Sequence, residues 1–239
     1  MTGATVPAPL EAEERPPRRG ADPAFRAMEI FLRPPMRLWF NWRFDGLDRI
    51  PYAPGPVLIA SNHVSYFDPP ATGYPLYLRG YRARYLAKAE LFRNPIANLF
   101  LRAAGQVPVQ RGTGSTKPLD EAKRLLDAGE AVVIYPEGTT THDPAFRQGP
   151  SKTGIARLAL STGLPITPLA IWGTHRFLSH GGRKFPEFGR PIWFSVGEPM
   201  RFEGAPDDGA LLRRITDEVM GVVAGLTDDL RAEYPERWT

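Results

Sequence analysis

Beyond Leu47 the chain alternates short apolar runs with stretches of helical period. The runs "PVLIA", "ARYLAK", "QVPVQ", "AVVIYP", "LPITPLAIW" and "PIWFSVGEP" are short, β-branched or apolar, and bounded by turn residues, which predicts buried strands. Between them, Ala71 to Leu78, Pro95 to Ala104, Pro118 to Ala128 and Lys152 to Ser161 carry helical spacing. Strand and helix in turn predict an α/β fold with a mostly parallel central sheet flanked by helices. The stretch "DDGALLRRITDEVMGVVAGLTDDLRAEY" predicts one more helix, expected across the end of the sheet. In such sheets the working groups sit in loops beyond the carboxyl ends of the strands.

The first part of the chain has other patterns. Residues 1–22 mix proline, alanine and charge without an apolar period, and are expected to form a disordered tail. A signal peptide is not expected there, because Glu11, Glu13 and Glu14 occupy the place of its apolar region. Residues 23–45 contain "FRAMEIFLRPPMRLWFNWRF", which interleaves apolar and aromatic residues with Arg26, Arg33, Arg37 and Arg43. Pro34 and Pro35 divide it into two short predicted helical pieces. Aromatic rings beside guanidinium groups suit the headgroup boundary of an anionic membrane surface, and packing on the domain's own core is the alternative. Residues 46–239 would then form the main domain. No run reaches the roughly 18 uncharged apolar residues of a membrane span.

Composition narrows the chemistry. Hydrophobic residues make up 42% and charged residues 23% of the 239, as in an ordinary globular protein. The absence of cysteine removes disulfides, cysteine metal sites and a thiolate nucleophile. Of 30 basic residues 25 are arginine, and the net charge is +4, a balance that suits phosphate-bearing partners. Without a block of like charges, no nucleic-acid arm is expected.

Three strand ends carry candidate chemistry. After "VLIA" comes "SNHVSYFDP", in which a turn can fold Asp68 back onto His63. Imidazole titrates near working pH, and a carboxylate on one ring nitrogen fixes the tautomer that a general base requires. With 4 histidines and 12 aspartates in the chain, this spacing alone is equally compatible with a structural contact. After "AVVIY" comes "PEGTTT", which places Glu137, Gly138 and Thr139 on the same rim, the glycine allowing close backbone approach. After "VPVQ" comes Arg111, able to hold a phosphate bidentately. The apolar "ITPLAIWG" with Pro168 is expected to wall a pocket.

Taken in order, His63 and Asp68, Arg111 after "VPVQ", "YPEGT", "ITPLA" and the intervening "LAKAELF" resemble the sequence blocks of the glycerolipid acyltransferases. That family includes the 1-acyl-glycerol-3-phosphate acyltransferases. The resemblance spans roughly Leu47 to Gly197. It implies that His63 takes the proton of a glycerol hydroxyl, which attacks the thioester of acyl-CoA or acyl carrier protein, while Asp68 orients the histidine. It also implies that Arg111, Glu137, Gly138 and Thr139 contact the acceptor. One position departs from the family pattern: Thr140 stands where the third block usually has arginine. Either Lys88, Arg147 or Lys152 supplies the missing cation, with Arg147 better read as a solvated loop charge, or the acceptor headgroup differs from plain glycerol phosphate.

Other chemistries lack their motifs. "RGTGSTK" is neither a dinucleotide-binding nor a Walker loop. The histidines have no zinc spacing, and no G-x-S-x-G elbow is present. The expected protein is an acyltransferase, without metal or bound cofactor, peripheral at the cytoplasmic face of the cell membrane. Its expected acceptor is lysophosphatidic acid and its product phosphatidic acid. The alternatives are another acceptor (glycerol 3-phosphate, another lysophospholipid or a glycolipid) or a non-catalytic lipid-surface binding protein.

Overall fold

The computed structural model describes residues 34, 36–103, 105–109, 117–143, 145–179, 185 and 187–238. Among these residues seven strands form one sheet: β1 (Phe40–Asp45), β2 (Val57–Ser61), β3 (Ala83–Lys88), β4 (Val107–Val109), β5 (Ala131–Ile134), β6 (Ile166–Trp172) and β7 (Arg190–Val196). Their spatial order is β1-β7-β6-β2-β5-β3-β4. Every pairing is parallel except β6 with β7, where Trp172 faces Trp193. The expected mostly parallel sheet is therefore present. Strands β2, β5 and β6 are buried at every residue, because helices cover both faces and leave no polar side to the strand.

The helices are α1 (Asp68–Leu78), α2 (Pro95–Ala103), α3 (Lys117–Asp127), α4 (Gly154–Thr162) and α5 (Gly209–Glu233). On one face, Ala71 and Leu76 of α1 pack with Ile59, Val133, Ile171 and Phe194 of the sheet. On the other, α3, α4 and α5 bring Leu126, Ile155, Leu158, Leu212, Ile215 and Val219 against Leu58, Val132 and Ile166. Asp208 caps α5 by accepting from the N–H groups of Ala210 and Leu211. The five-strand block from β6 to β4 runs one way, while β1 and β7 run the other. The amino ends of β1 and β7 therefore lie at the same rim as the carboxyl ends of β2, β5 and β6.

Three expectations change. Phe40–Asp45 is a strand, not part of a helical piece, so the sheet begins ahead of residue 46. Phe40, Trp42 and Phe44 alternate with Asn41, Arg43 and Asp45, which is the period of a strand with one buried face. Their rings join the core, Trp42 lying 4.7 Å from Tyr74 and Phe44 stacking 5.4 Å from Phe194. Arg43 is engaged within the protein, paired with Asp45 at 2.9 Å and Glu233 at 2.6 Å. The part of the aromatic segment before Pro34, and the 1–22 tail, lie outside the described residues. Helix α5 lies along a face of the sheet instead of across its end, because its buried positions form a continuous stripe over β2 and β6. Helix α1 begins at Asp68, before the expected Ala71, since prolines in a first turn remove N–H groups that have no helical partner anyway.

Candidate active site

Strand β2 ends at Ser61, and the next residue anchors the loop that carries His63. The buried Asn62 side chain donates to Ile171 O at 3.0 Å and accepts from Ile171 N–H at 2.9 Å. Its amide thus continues the β2–β6 ladder after the backbone has turned away. His63 is held on both sides of its peptide: its N–H donates to Glu137 Oε1 at 3.0 Å, and its carbonyl accepts from Thr141 N–H at 2.9 Å.

The imidazole has two fixed neighbours. Its face stacks on Tyr135 with centroids 4.3 Å apart, and Nδ1 lies 2.9 Å from Asp68 Oδ2. The Tyr135 hydroxyl is tied to Thr72, and Thr72 to Tyr85, each at 2.9 Å. Burial pushes the Tyr135 phenol well above its ordinary range, so this support stays neutral. Asp68 is fully buried at the start of α1. Its Oδ2 also accepts from Val64 N–H at 2.7 Å and Ser65 N–H at 2.8 Å, and its Oδ1 accepts from Thr174 Oγ1 at 2.6 Å. A carboxylate only accepts, so the Nδ1 contact assigns the ring proton to Nδ1 and leaves Nε2 as the basic nitrogen. A base with a fixed tautomer is what proton removal from a hydroxyl requires.

Glu137 ties this loop to the next. Besides His63 N–H, it accepts from Gly149 N–H at 3.3 Å through Oε2. Burial raises its pKa, and those two N–H groups partly offset the rise. Gly138 has φ +71°, a left-handed conformation, and a Cβ there would lie 3.1 Å from Lys152 Cε and Nζ. The Lys152 ammonium thus lies over the Glu137-Gly138 turn, and no carboxylate among the described residues pairs with it. Thr139 is exposed and lines a cavity of about 290 Å³ with Glu137 and Arg147, while Thr140 is buried. Arg147 pairs with Asp143 at 2.6 Å on the exposed loop, as a solvated charge would.

The structure therefore joins His63, Asp68 and Glu137 by hydrogen bonds and sets Gly138, Thr139 and Lys152 beside them. Lys88 stands exposed at the carboxyl end of β3, on the same rim but without a hydrogen bond to the cluster. Arg111 lies outside the described residues. Strand β6 is a central, wholly buried strand and not the expected pocket wall; it serves the site through the turn after it. Asn62 and Tyr135 lie inside the blocks "SNHVSYFDP" and "YPEGT" but had no role assigned from sequence, and Thr174 lies outside every block. The available signal for Thr174 was "WGTHRF", a glycine and three polar residues leaving a buried strand at this rim.

With this geometry in view, the comparisons with known proteins agree. The chain belongs to the acyltransferase family: a family model described as Acyltransferase matches residues 41–172. It is 30% identical over 145 residues to the chloroplastic 1-acyl-sn-glycerol-3-phosphate acyltransferase of Brassica napus, covering 60% of this chain and 40% of that one. It is 32% identical over 117 residues to the lyso-ornithine lipid O-acyltransferase of Pseudomonas aeruginosa, covering 48% and 43%. The chain thus spans less than half the length of either relative. The crystal structure of the 1-acyl-sn-glycerophosphate (LPA) acyltransferase from Thermotoga maritima superposes with TM-score 0.63 at 25% identity, covering 89% of this chain and 81% of that one.

Beside the site, His175 is buried and stacks on Trp172 at 4.0 Å, and its Nδ1 has no partner among the described residues. Burial, and then Arg190, Arg176 and Arg231, lower its pKa from 6.5 to about 3. The unfolded chain takes up this proton below about pH 6.5, and the folded chain only near pH 3. The neutral ring therefore contributes stability that is complete above pH 6.5 and lost as pH falls toward 3. His175→Phe should lose less stability than wild type between about pH 7 and about pH 4.5, by up to one proton taken up on unfolding. Urea unfolding at both pH values checks this, and equal losses in the two proteins would refute it.

Proposed function

We propose that the protein transfers a fatty acyl group from acyl-CoA or acyl carrier protein to a hydroxyl of lysophosphatidic acid, giving phosphatidic acid in phospholipid biosynthesis. The observation that carries this reading is the His63–Asp68 pair, 2.9 Å apart, with Nε2 as the free base at the carboxyl rim of the sheet. His63 Nε2 takes the hydroxyl proton as the oxygen attacks the thioester carbonyl. A C–O bond forms, the C–S bond breaks, and the imidazolium returns the proton to the leaving thiolate. No covalent acyl-enzyme is required, and a chain without cysteine could not form a thioester one.

The acceptor phosphate is assigned to the turn at Gly138, under Lys152, with Arg111 as its second cation. Buried Thr140 places no charge where the family pattern has arginine, so Lys152 answers for the missing one. The same substitution favours one second reading. The Pseudomonas relative is named for a lyso-ornithine lipid, and a site with one guanidinium fewer suits an acceptor with less phosphate character.

The rim also supports work at a membrane. Leu38, Trp39 and Phe188, at the amino ends of β1 and β7, are exposed, as are Tyr66 after β2, Leu178 after β6 and Leu91 after β3. Arg37, Lys88 and Arg93 are exposed among them. Apolar side chains beside basic ones fit an anionic bilayer surface. No helix among the described residues is long and apolar enough to cross a membrane. On the strength of this rim we propose a peripheral position at the cytoplasmic face of the cell membrane.

Acyl transfer measured on a panel of lysophosphatidic acid, glycerol 3-phosphate, another lysophospholipid, a glycolipid and lyso-ornithine lipid tests the reading. Lysophosphatidic acid should be the best acceptor, and His63→Ala should lower kcat by roughly 10²–10⁴-fold. Lys152→Met should raise KM for that acceptor while changing kcat little. No transfer to any acceptor, or a His63→Ala rate equal to wild type, would refute the enzyme; preference for lyso-ornithine lipid would establish the second reading. In sedimentation with anionic vesicles, Trp39→Ser combined with Phe188→Ser should reduce the bound fraction, and unchanged binding would remove this rim from the membrane contact.

A further inference from the structure

The turn after β6 enters the site at a point that no sequence motif marks. Gly173 has φ +106°, and a Cβ there would lie 2.1 Å from Pro191 O and 3.0 Å from the Tyr234 hydroxyl. Only glycine fits so tight a turn beside β7. The turn delivers Thr174, fully buried, and the chain then runs alongside the loop that carries the catalytic pair. Hydrogen bonds join the two segments. Thr174 Oγ1 donates to Asp68 Oδ1 at 2.6 Å, Ser65 Oγ donates to Phe177 O, and Tyr66 N–H donates to Leu178 O at 3.2 Å. The rings of Phe67 and Phe177 meet edge to face at 4.8 Å.

The two oxygens of Asp68 are unequally served. Oδ2 accepts from His63 Nδ1, Val64 N–H and Ser65 N–H, whereas Thr174 supplies the hydrogen bond to Oδ1. Asp68 has no exposed surface from which water could replace that donor. Without it, Oδ1 would be a buried, unpaired anionic oxygen, and the carboxylate would rotate to share the donors of Oδ2. Rotation about the Cβ–Cγ bond is soft, so those donors alone hold the carboxylate plane weakly. A donor on the opposite oxygen fixes that plane.

We propose that Thr174 is a positioning residue for acyl transfer: its hydroxyl locks the Asp68 carboxylate so that Oδ2 stays aligned with His63 Nδ1. Behind it, the His175 ring stacked on Trp172 and edge-on to Phe146 and Tyr234 forms a rigid aromatic block that holds the turn in place. Thr174 touches neither reacting atom. It acts through Asp68, and Asp68 through His63. The inference rests on the acyl-transfer reading for its kinetic consequence, while the alignment itself can be observed without turnover.

Thr174→Val keeps the shape and deletes the donor, Thr174→Ser keeps the donor, and Thr174→Ala carries the same test should valine disturb the turn. In the full chain, kcat for valine should fall roughly 10- to 100-fold, the range seen when partners that orient metal-bound side chains are removed. KM for the acceptor should stay within about twofold, and serine should restore kcat. Nitrogen-15 imidazole spectra supply the second readout, and with 4 histidines in the chain His63 is assignable by substitution. Wild type and the serine variant should show Nδ1-protonated His63, and the valine variant a mixture of tautomers. A purely structural role would lower the melting temperature and leave both readouts unchanged. Wild-type kcat with an unaltered His63 spectrum in the valine variant would overturn the proposal, as would a serine variant as impaired as valine. If wild type transfers no acyl group at all, the enzyme reading fails, and the spectra still decide whether Thr174 sets the pair.

Discussion

The buried carboxylate of Asp68 is the constraint on which the active site depends. An anion removed from water at this depth is costly unless its oxygens are met by donors. Here two backbone N–H groups, one imidazole N–H and one hydroxyl meet them, at the positive end of α1. Each donor is thereby fixed in turn. Val64 and Ser65 wrap tightly around the carboxylate, His63 is left with one tautomer, and the turn after β6 is drawn onto the loop after β2. Stability and the proposed chemistry share this group: the arrangement that offsets the burial of Asp68 also fixes the His63 ring.

Sheet topology explains why so many functional parts meet at one edge. The parallel block from β6 to β4 sends its carboxyl ends to a common rim, where His63, Glu137, Lys88 and Thr174 leave their strands. Reversal at the β6–β7 pair then turns the amino ends of β7 and β1 to that rim as well. Exposed apolar residues thus share the rim of the His63–Asp68 pair instead of lying at the opposite end of the sheet. This geometry suits the proposed reaction, in which the base would reach a hydroxyl held at the headgroup level of a bilayer. Beside the pair, the ammonium of Lys152 over Gly138 gives the turn proposed to hold the acceptor a cation that buried Thr140 does not supply.

What the sequence made legible was local. The strands β2 to β7 and the helices between them appear as runs with one dominant period, and their bounds shift by a few residues at most. His63 and Asp68 lie five residues apart and were readable as a pair. Where the partner is distant in sequence, legibility ends. Phe40–Asp45 mixes aromatic and basic residues in a way that fits an amphipathic helix as well as a strand, and its strand partner lies 150 residues downstream. Thr174 meets Asp68 across 106 residues, and Asn62 meets Ile171 across 109. Nothing in the composition of a threonine or an asparagine announces such a contact. Family membership could be read from the ordered blocks, whereas the way Glu137 braces the His63 peptide required coordinates.

The most direct measurement is kcat for acyl transfer by Asp68→Asn. An asparagine whose oxygen faces His63, Val64 and Ser65 keeps their hydrogen bonds, and its amide can donate to the Thr174 hydroxyl. The substitution therefore removes the negative charge while leaving the framework in place. If Asp68 orients His63 and stabilises the imidazolium formed as the acceptor hydroxyl loses its proton, kcat should fall on the order of 10²-fold or more with the fold intact. A folded variant as fast as wild type would contradict that role.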